Sequence, residues 1–254
     1  MLNRNQIIQR LNKYIKYKKF NTKICWHLSN ALNSLKNKNY NKAFKALAFA
    51  YYLSGKNPEI KILLNSLTHI TKSIELMHYY LTLAALKKNY LSESVKTIAK
   101  ELLKVYKFYF KYKRIYEQLN KQLNNNKTIS EKTTKKHKLA KEKLIFYNNL
   151  STELLKLKQE FEYKEIIEKN AAQINPIIEN IYAEGYIAQM SKQEYEDFIQ
   201  EQKNYIKFLK EYTNKINKTS NTDIYNKLIE DFKNKKQNFS KIKNQTPHPF
   251  NGGE

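Results

Sequence analysis

Apolar residues recur at intervals of three and four positions along most of the chain, and this spacing marks one face of an α-helix. The clearest early stripe consists of Leu28, Ala31, Leu32 and Leu35. A second stripe, after a polar break, consists of Ala43, Phe44, Leu47, Ala50 and Tyr51. With a further helix pair at roughly 58–70 and 73–87, the pattern predicts short helical hairpins over residues 1–91.

The stretch SGKNPEI carries the turn chemistry that separates two of these helices. Gly55 fits the position just after a helix, where the backbone takes a left-handed conformation that glycine adopts without strain. Asn57 fits an N-cap, and Pro58 fits the first position of the next helix. The sequence therefore predicts that one helix ends before Gly55 and another begins at Pro58.

Residues His27 to Pro58 resemble a tetratricopeptide-type helical hairpin. Tyr40, Ala43 and Ala50 fall at the spacing of the second helix of that repeat, where small residues let two helices approach closely. The segment NPEI is similar to the turn between such repeats. The resemblance covers about one repeat, and it implies a helical hairpin and a groove for a peptide.

A longer seam follows, in which apolar residues alternate in steps of four and three. Its members are Ile98, Leu102, Val105, Tyr109, Tyr112, Tyr116, Leu119 and Leu123. A polar link separates it from a second seam, which consists of Tyr147, Leu150, Leu154, Leu157 and Phe161. Two long seams joined by a short link are typical of an antiparallel coiled-coil hairpin, which we expect over residues 92–170.

C-terminal helices are predicted over residues 171–240. Ser191 and Glu194 have the spacing of a capping box that would open a helix. The seam of that helix consists of Tyr195, Phe198, Tyr205, Leu209, Tyr212 and Ile216, with Gln202 in its one polar position. A last helix is expected at about 222–238, and the tail at 241–254 is expected to be disordered.

Composition agrees with this helical interpretation. The chain has 254 residues but only 4 Gly and 4 Pro, which leaves little turn chemistry for a β-sandwich or a barrel. We therefore predict an all-α protein, in which short helical hairpins are followed by a long antiparallel coiled-coil hairpin and C-terminal helices.

Positive charge is concentrated in the front of the chain. The net charge is +24, and residues 1–150 carry 31 Lys+Arg against 7 Asp+Glu, whereas residues 151–254 carry 16 of each. No acidic residue precedes Glu59. Codon bias toward lysine would spread the charge evenly, so the asymmetry indicates an acidic partner. An acidic protein, a nucleic acid and an anionic membrane surface all fit.

The candidate binding residues lie in the stretch KVYKFYFKYKR. Its cations are Lys104, Lys107, Lys111, Lys113 and Arg114, and the rings between them are Tyr106, Phe108 and Phe110. Cations that hold phosphates beside rings that stack on bases are the ingredients of nucleic-acid binding. The alternative is a helix whose rings pack internally while its lysines reach water. With 44 Lys and 3 Arg in the chain, a nucleic acid would be held by its backbone, without base-specific readout.

No catalytic or metal-binding motif is recognisable. The histidines are His27, His69, His78, His137 and His248, and no two of them lie at i, i+3 or i, i+4. Cys25 and His27 are two positions apart and would point to different sides of a helix. Isolated glycines form no phosphate-binding loop. We therefore expect no enzyme activity, no cofactor and no metal.

The number of cysteines and the hydropathy of the chain indicate its cellular compartment. The single cysteine excludes an internal disulfide and fits a reducing compartment. The N-terminal segment lacks the apolar core of a secretory signal, and the longest apolar run, LMHYYLTLAAL, is too short to cross a bilayer. We expect a cytoplasmic protein.

These observations favour a non-enzymatic interaction or scaffold protein whose lysine-rich N-terminal surface associates with an acidic partner, most simply an acidic protein. Two alternatives stay open. One is a sequence-non-specific nucleic-acid-binding protein, and the other is an enzyme whose site is dispersed over several helices.

Overall fold

The computed structural model describes residues 1–125, 130–178 and 192–245. Within these ranges the chain forms nine α-helices and no strand, which confirms the predicted all-α fold. They are α1 (Arg4–Lys16), α2 (Thr22–Lys36), α3 (Tyr40–Leu53), α4 (Pro58–Thr71), α5 (Ile74–Lys87), α6 (Glu93–Asn125), α7 (Glu131–Ile178), α8 (Lys192–Lys218) and α9 (Thr222–Gln245). Among these nine, none is both long and apolar enough to cross a membrane.

The chain forms two compact units. Unit 1 comprises Met1–Tyr106, and unit 2 comprises Lys107–Glu254. The boundary between them lies inside α6, whereas the sequence pattern placed a regional boundary at residue 91. Periodicity along the chain reports where helices begin and end, and it carries no information on which contacts hold a unit together.

Unit 1 is organised around α3, which contacts α2, α4 and α5. Ala43 and Ala50 of α3 are fully buried, and their small side chains let the neighbouring helices approach closely. The fully buried aliphatic side chains around them include Ile7, Leu11, Leu28, Leu35, Leu47, Ile60, Leu63, Leu64 and Leu67. Each such side chain stabilises the fold by roughly 1.5–3 kcal/mol relative to an exposed one. The apolar stripes predicted from spacing therefore form the core of unit 1.

The turn between α3 and α4 has the predicted construction. Gly55 follows the end of α3 with φ of +67°, which is left-handed backbone. The side chain of Asn57 accepts a hydrogen bond from the backbone N–H of Glu59 at 2.9 Å and so caps α4. Pro58 occupies the start of α4, where its missing N–H costs no helical hydrogen bond. The tetratricopeptide-type resemblance itself stays a prediction, because helical hairpins occur in many all-α folds.

Aromatic contacts join α6 to α7 in unit 2. The rings of Tyr112 and Tyr147 stack with centroids 5.6 Å apart, and Phe108 lies 5.4 Å from Tyr147. Farther along the pair, Tyr116 stacks on His137 at 4.7 Å. The predicted long helical hairpin is therefore present, and α7 continues past residue 170.

A second aromatic cluster connects α7, α8 and α9. Phe232 of α9 stacks on Phe208 of α8 at 5.3 Å and meets Phe146 of α7 edge-on at 5.3 Å. The hydroxyl of Tyr147 donates a hydrogen bond to the backbone carbonyl of Thr213 at 3.1 Å. A buried phenol needs such a partner, so this bond fixes α8 against α7.

Some of the predicted features fall outside the described residues. The proposed N-cap Ser191 is one of them, and so is the tail from residue 246 onward. The last helix, α9, extends to Gln245 and therefore passes its predicted end near residue 238.

Lys143 of α7 is a buried cation in unit 2, with only 2 % of its surface exposed. Its Nζ donates hydrogen bonds to the hydroxyl of Tyr112 at 3.2 Å, to the carbonyl of Asn217 at 3.4 Å and to the carbonyl of Thr219. Because α8 ends at Lys218, the ammonium satisfies carbonyls at the C-terminal end of that helix. The helix dipole also favours a cation there.

The titration of Lys143 should make the free energy of unfolding depend on pH. Burial, together with the nearby charge of Lys111, lowers the pKa of Lys143 from 10.5 to about 8. Between these values the unfolded chain binds more protons than the folded chain, so the contribution of Lys143 to stability rises with pH. From pH 7.5 to pH 10, the wild-type protein should gain about 2 kcal/mol of unfolding free energy relative to Lys143→Met. Urea unfolding followed by circular dichroism measures this difference, and a constant difference would refute the assignment.

Candidate functional site

A groove of about 450 Å³ lies between α2 and α3 in unit 1. It is lined by Trp26, His27, Asn30, Asn33, Ser34, Asn37, Asn39, Lys42, Lys45, Ala46 and Phe49. All of these residues belong to the two helices or to the turn that joins them, so the α2–α3 hairpin forms the whole groove. We name it the α2–α3 groove.

The periodicity of α2 places three amides along one wall. Leu28 and Leu35 are fully buried against the core, and this orientation leaves Asn30, Asn33 and Asn37 on the side of the groove. Among the described residues, the side chains of these three asparagines make no hydrogen bond. Each amide offers both donor and acceptor groups, so the wall can pair with the N–H and C=O groups of an extended peptide.

The opposite wall carries cations. Lys42 and Lys45 of α3 are exposed, and neither forms an ion pair with any residue in the described ranges. Asn39 caps α3 by accepting a hydrogen bond from the backbone N–H of Lys42 at 3.2 Å, which fixes the start of the helix that carries both lysines. These two ammonium groups are available for an anionic ligand.

One end of the α2–α3 groove is aromatic. Trp26 is 62 % exposed, although tryptophan is usually well buried. The ring of His27 meets it edge-on with centroids 4.8 Å apart and stacks on Phe49 at 5.5 Å. The Nζ of Lys88 lies 5.9 Å from the centroid of Phe49, within the range of a cation–π contact. An exposed ring held by its neighbours offers a rigid apolar contact for a ligand.

The surroundings of the α2–α3 groove are strongly positive. Unit 1 carries 19 Lys+Arg and 4 Asp+Glu, which is a net charge of +15. Three of its carboxylates pair with lysines of the same unit, in the pairs Lys19–Glu59, Lys96–Glu93 and Lys104–Glu101. Even complete internal pairing would leave 15 positive charges, so unit 1 presents a positive field to its ligands.

Cys25 and His27, which are two positions apart in α2, are held by different neighbours. Cys25 donates a hydrogen bond from Sγ to the carbonyl of Phe20 at 3.1 Å, while His27 packs against Trp26 and Phe49. The thiol and the imidazole therefore make separate contacts. Across the described ranges, no group of three or more His, Cys, Asp or Glu side chains is arranged to hold a metal ion.

Protonation of His27 at low pH should change the fluorescence of its neighbour Trp26. Burial and the charges of Lys88 and Lys23 lower the pKa of His27 below its usual 6.5. Because the unfolded chain then takes up the proton first, the contribution of His27 to stability is lost as the pH falls below 6.5. We expect Trp26 fluorescence to be quenched when the adjacent imidazole is protonated. A pH titration of the wild-type protein and of His27→Phe tests this; an identical transition in both would exclude His27 as its origin.

The rings of the predicted binding stretch make internal contacts. Tyr106 is 2 % exposed and meets Tyr79 edge-on at 6.3 Å within unit 1. Phe108 packs against Tyr147 within unit 2, and Phe110 is half-buried. These contacts agree with the alternative in which the rings of this stretch pack inside the protein. A binding role for the stretch stays a prediction.

The cations of that stretch differ in their surroundings. Lys104 pairs with Glu101 at 3.7 Å, and Lys111 donates a hydrogen bond to the side-chain oxygen of Asn217 at 3.2 Å. All five cations are exposed or half-buried, and the remaining three are Lys107, Lys113 and Arg114. Two of the five are therefore engaged in polar contacts of the fold.

The tetratricopeptide-type resemblance implied a peptide groove in this hairpin, but sequence reasoning missed the residues that line the α2–α3 groove. A signal was present in the spacing of Asn30, Asn33 and Asn37, which lie three and four positions apart beside the apolar stripe of α2. Asn30 and Asn33 lie within α2 and Asn37 is its C-cap residue. Because asparagine has low helix propensity, the two inside the helix indicate a polar face with a role other than helix formation. The partner wall on α3 could not be inferred, because it depends on how the two helices are packed.

Comparison of the chain with known protein families, with curated proteins and with solved structures gives no match.

Proposed function

We propose that unit 1 is a protein-interaction module that binds an acidic segment of a partner protein in the α2–α3 groove. The observation that carries this proposal is the combination of lysines and amides that pair with no other side chain in the described ranges, together with an exposed tryptophan, along one hairpin of a strongly positive unit. No catalytic step is part of the proposal.

Charge favours an acidic ligand. Lys42 and Lys45 would pair with carboxylates of the bound segment, and the net charge of unit 1 would steer that segment toward the groove. Such steering weakens as salt screens the field, so the association rate should fall with ionic strength.

The amides favour a peptide. Asn30, Asn33 and Asn37 present donors and acceptors that match the main chain of an extended segment irrespective of its side chains. Trp26 would cover one apolar or aromatic residue of the segment, and aromatic anchors of this kind commonly dominate binding energy. Acidic residues around one apolar residue are therefore the expected ligand pattern.

Nucleic acid is the main alternative, because phosphates would also be attracted to the lysines of unit 1. Proteins that bind single-stranded nucleic acid commonly stack several successive bases on rings that lie along a cationic channel. In the α2–α3 groove, by contrast, Trp26 is the one strongly exposed ring among the lining residues, and it lies beside amides. This arrangement supports the protein ligand. An enzyme with a dispersed site is a third possibility, and no particular cluster in the described residues favours it.

Affinity purification of the full chain from its native host, with and without nuclease, tests the proposal. We expect an acidic protein to be retained after nuclease treatment and to be displaced by a synthetic peptide of its acidic segment. Retention should fail for the variant Lys42→Glu/Lys45→Glu. Loss of all bound material on nuclease treatment would favour the nucleic-acid alternative, and recovery of the chain alone would contradict both.

A further inference from the structure

A second pocket, of about 300 Å³, lies among α7, α8 and α9 in unit 2. It is lined by Glu153, Lys156, Leu157, Glu160, Glu201, Gln202, Asn204, Tyr205, Lys236 and Phe239. We name it the unit 2 pocket. Its volume is that of a site for a small molecule or for one long side chain.

The side chain of Gln202 in α8 lines this pocket. It is only 5 % exposed, and it occupies the one polar position in a seam continued by the buried residues Leu209 and Tyr212. Within the described part of the chain, it makes no hydrogen bond. Neither of its polar atoms is shut away from the surface, so the amide group faces the pocket space. Leucine in this position would complete the apolar seam, whereas the amide is placed where a ligand can form a hydrogen bond with it.

The rim of the unit 2 pocket has carboxylates in two different states. Glu153 is already engaged, because it accepts hydrogen bonds from the hydroxyl of Tyr205 and from Nζ of Lys236. Glu160 and Glu201, by contrast, take part in no ion pair among the described residues. One further cation, the exposed Lys156, lies on the rim. After the Glu153–Lys236 pair is set aside, the rim has one more negative than positive charge.

Two aromatic rings and one aliphatic side chain form the walls of the unit 2 pocket. The rings of Tyr205 and Phe239 lie with centroids 5.3 Å apart, and Leu157 is 6 % exposed. Aromatic faces attract cations and stack on planar guanidinium groups. The pocket thus combines an apolar wall, a hydrogen-bonding amide and two carboxylates that form no ion pair with the residues that the structure describes.

We propose that the unit 2 pocket binds a guanidinium group carried on a short apolar stem. The planar group has five N–H donors in a fixed geometry, enough to serve the carbonyl oxygen of Gln202 and the carboxylates of Glu160 and Glu201 together. Its face packs on the ring of Tyr205, and the stem lies along Leu157. The source is either a free small molecule or an arginine side chain of a partner. The proposal is independent of the α2–α3 groove, which lies in unit 1.

Isothermal titration of the full chain with N-butylguanidine and with the peptide acetyl-Gly-Arg-Gly-amide tests this proposal. The neutral molecule 1-pentanol serves as a control for the apolar stem. Binding of N-butylguanidine should weaken about tenfold in Gln202→Leu and in Glu201→Gln, because each loses a hydrogen bond to a charged group. Glu211→Gln, on the exposed part of α8 outside the pocket, should bind as the wild-type protein does.

The two source molecules and the variants give distinct outcomes. Saturable binding of N-butylguanidine alone identifies a free molecule as the ligand, and binding of the arginine peptide, with or without N-butylguanidine, identifies an arginine side chain. The proposal would be overturned if 1-pentanol bound as tightly as the guanidinium probes, or if neither guanidinium probe bound. It would also be overturned if all variants bound the guanidinium probes with the affinity of the wild-type protein. Because Glu201 lies at the rim, Glu201→Gln remains informative even if Gln202→Leu alters the packing of the seam.

Discussion

Tyr147→Ala is expected to lower the free energy of unfolding of unit 2 by about 3–5 kcal/mol, the range for removal of a large buried aromatic side chain. Tyr147 has no exposed surface. Its ring stacks on Tyr112 and contacts Phe108 of α6, while its hydroxyl reaches the carbonyl of Thr213 in α8. Removal of this one side chain therefore leaves a cavity where three helices meet. Urea unfolding followed by circular dichroism measures the loss.

The matched control is Tyr147→Phe, which keeps the ring and removes only the hydroxyl. It should cost about 1 kcal/mol, the usual contribution of one hydrogen bond. A loss below about 1 kcal/mol for Tyr147→Ala would mean that α6, α7 and α8 do not pack around this ring. The arrangement of unit 2 described above would then be wrong.

Reversing the charge of the α2–α3 groove is expected to weaken binding of an acidic peptide by about 100-fold. The change is Lys42→Glu/Lys45→Glu, which replaces two attractive contacts by two repulsive ones. A suitable probe is a dodecapeptide of Asp and Glu with one central Phe. Both lysines are exposed, and neither contributes to the core, so the fold of unit 1 should be unaffected. Isothermal titration at low salt measures the affinity.

The control for this variant carries the same change in net charge away from the α2–α3 groove. Lys13→Glu/Lys100→Glu meets this requirement, since both lysines are exposed residues of unit 1 that do not line the groove. It should weaken binding only slightly, through the reduced field of unit 1. Equal losses in the two double variants would assign the interaction to diffuse charge, and the groove would lose its role.

Helix periodicity was sufficient to predict the all-α fold and much of the core. Leu28 and Leu35 of one predicted stripe are fully buried, and Gly55 has the left-handed backbone expected from its place in the sequence. These features depend on neighbours three or four positions away, which is the range that a sequence pattern reports.

The candidate sites depend on longer-range packing. The wall that carries Lys42 meets the asparagines of α2 only because α2 and α3 form a hairpin of one particular geometry. Lys143 also looks like an ordinary surface lysine in the sequence, yet the end of α8 buries it. Gln202 was recognisable as a polar residue in an apolar seam, but the pocket beside it is formed by three helices.

The single tryptophan of the chain gives the most direct test of the proposed function, because Trp26 lines the α2–α3 groove and its emission reports occupancy. The measurement is a fluorescence titration of the full chain at low salt, with the acidic dodecapeptide in one series and a single-stranded oligonucleotide in the other. We predict a saturable change with the peptide that is absent from Lys42→Glu/Lys45→Glu. No change with the peptide, or a saturable change with the oligonucleotide alone, would contradict binding of an acidic protein segment in this groove.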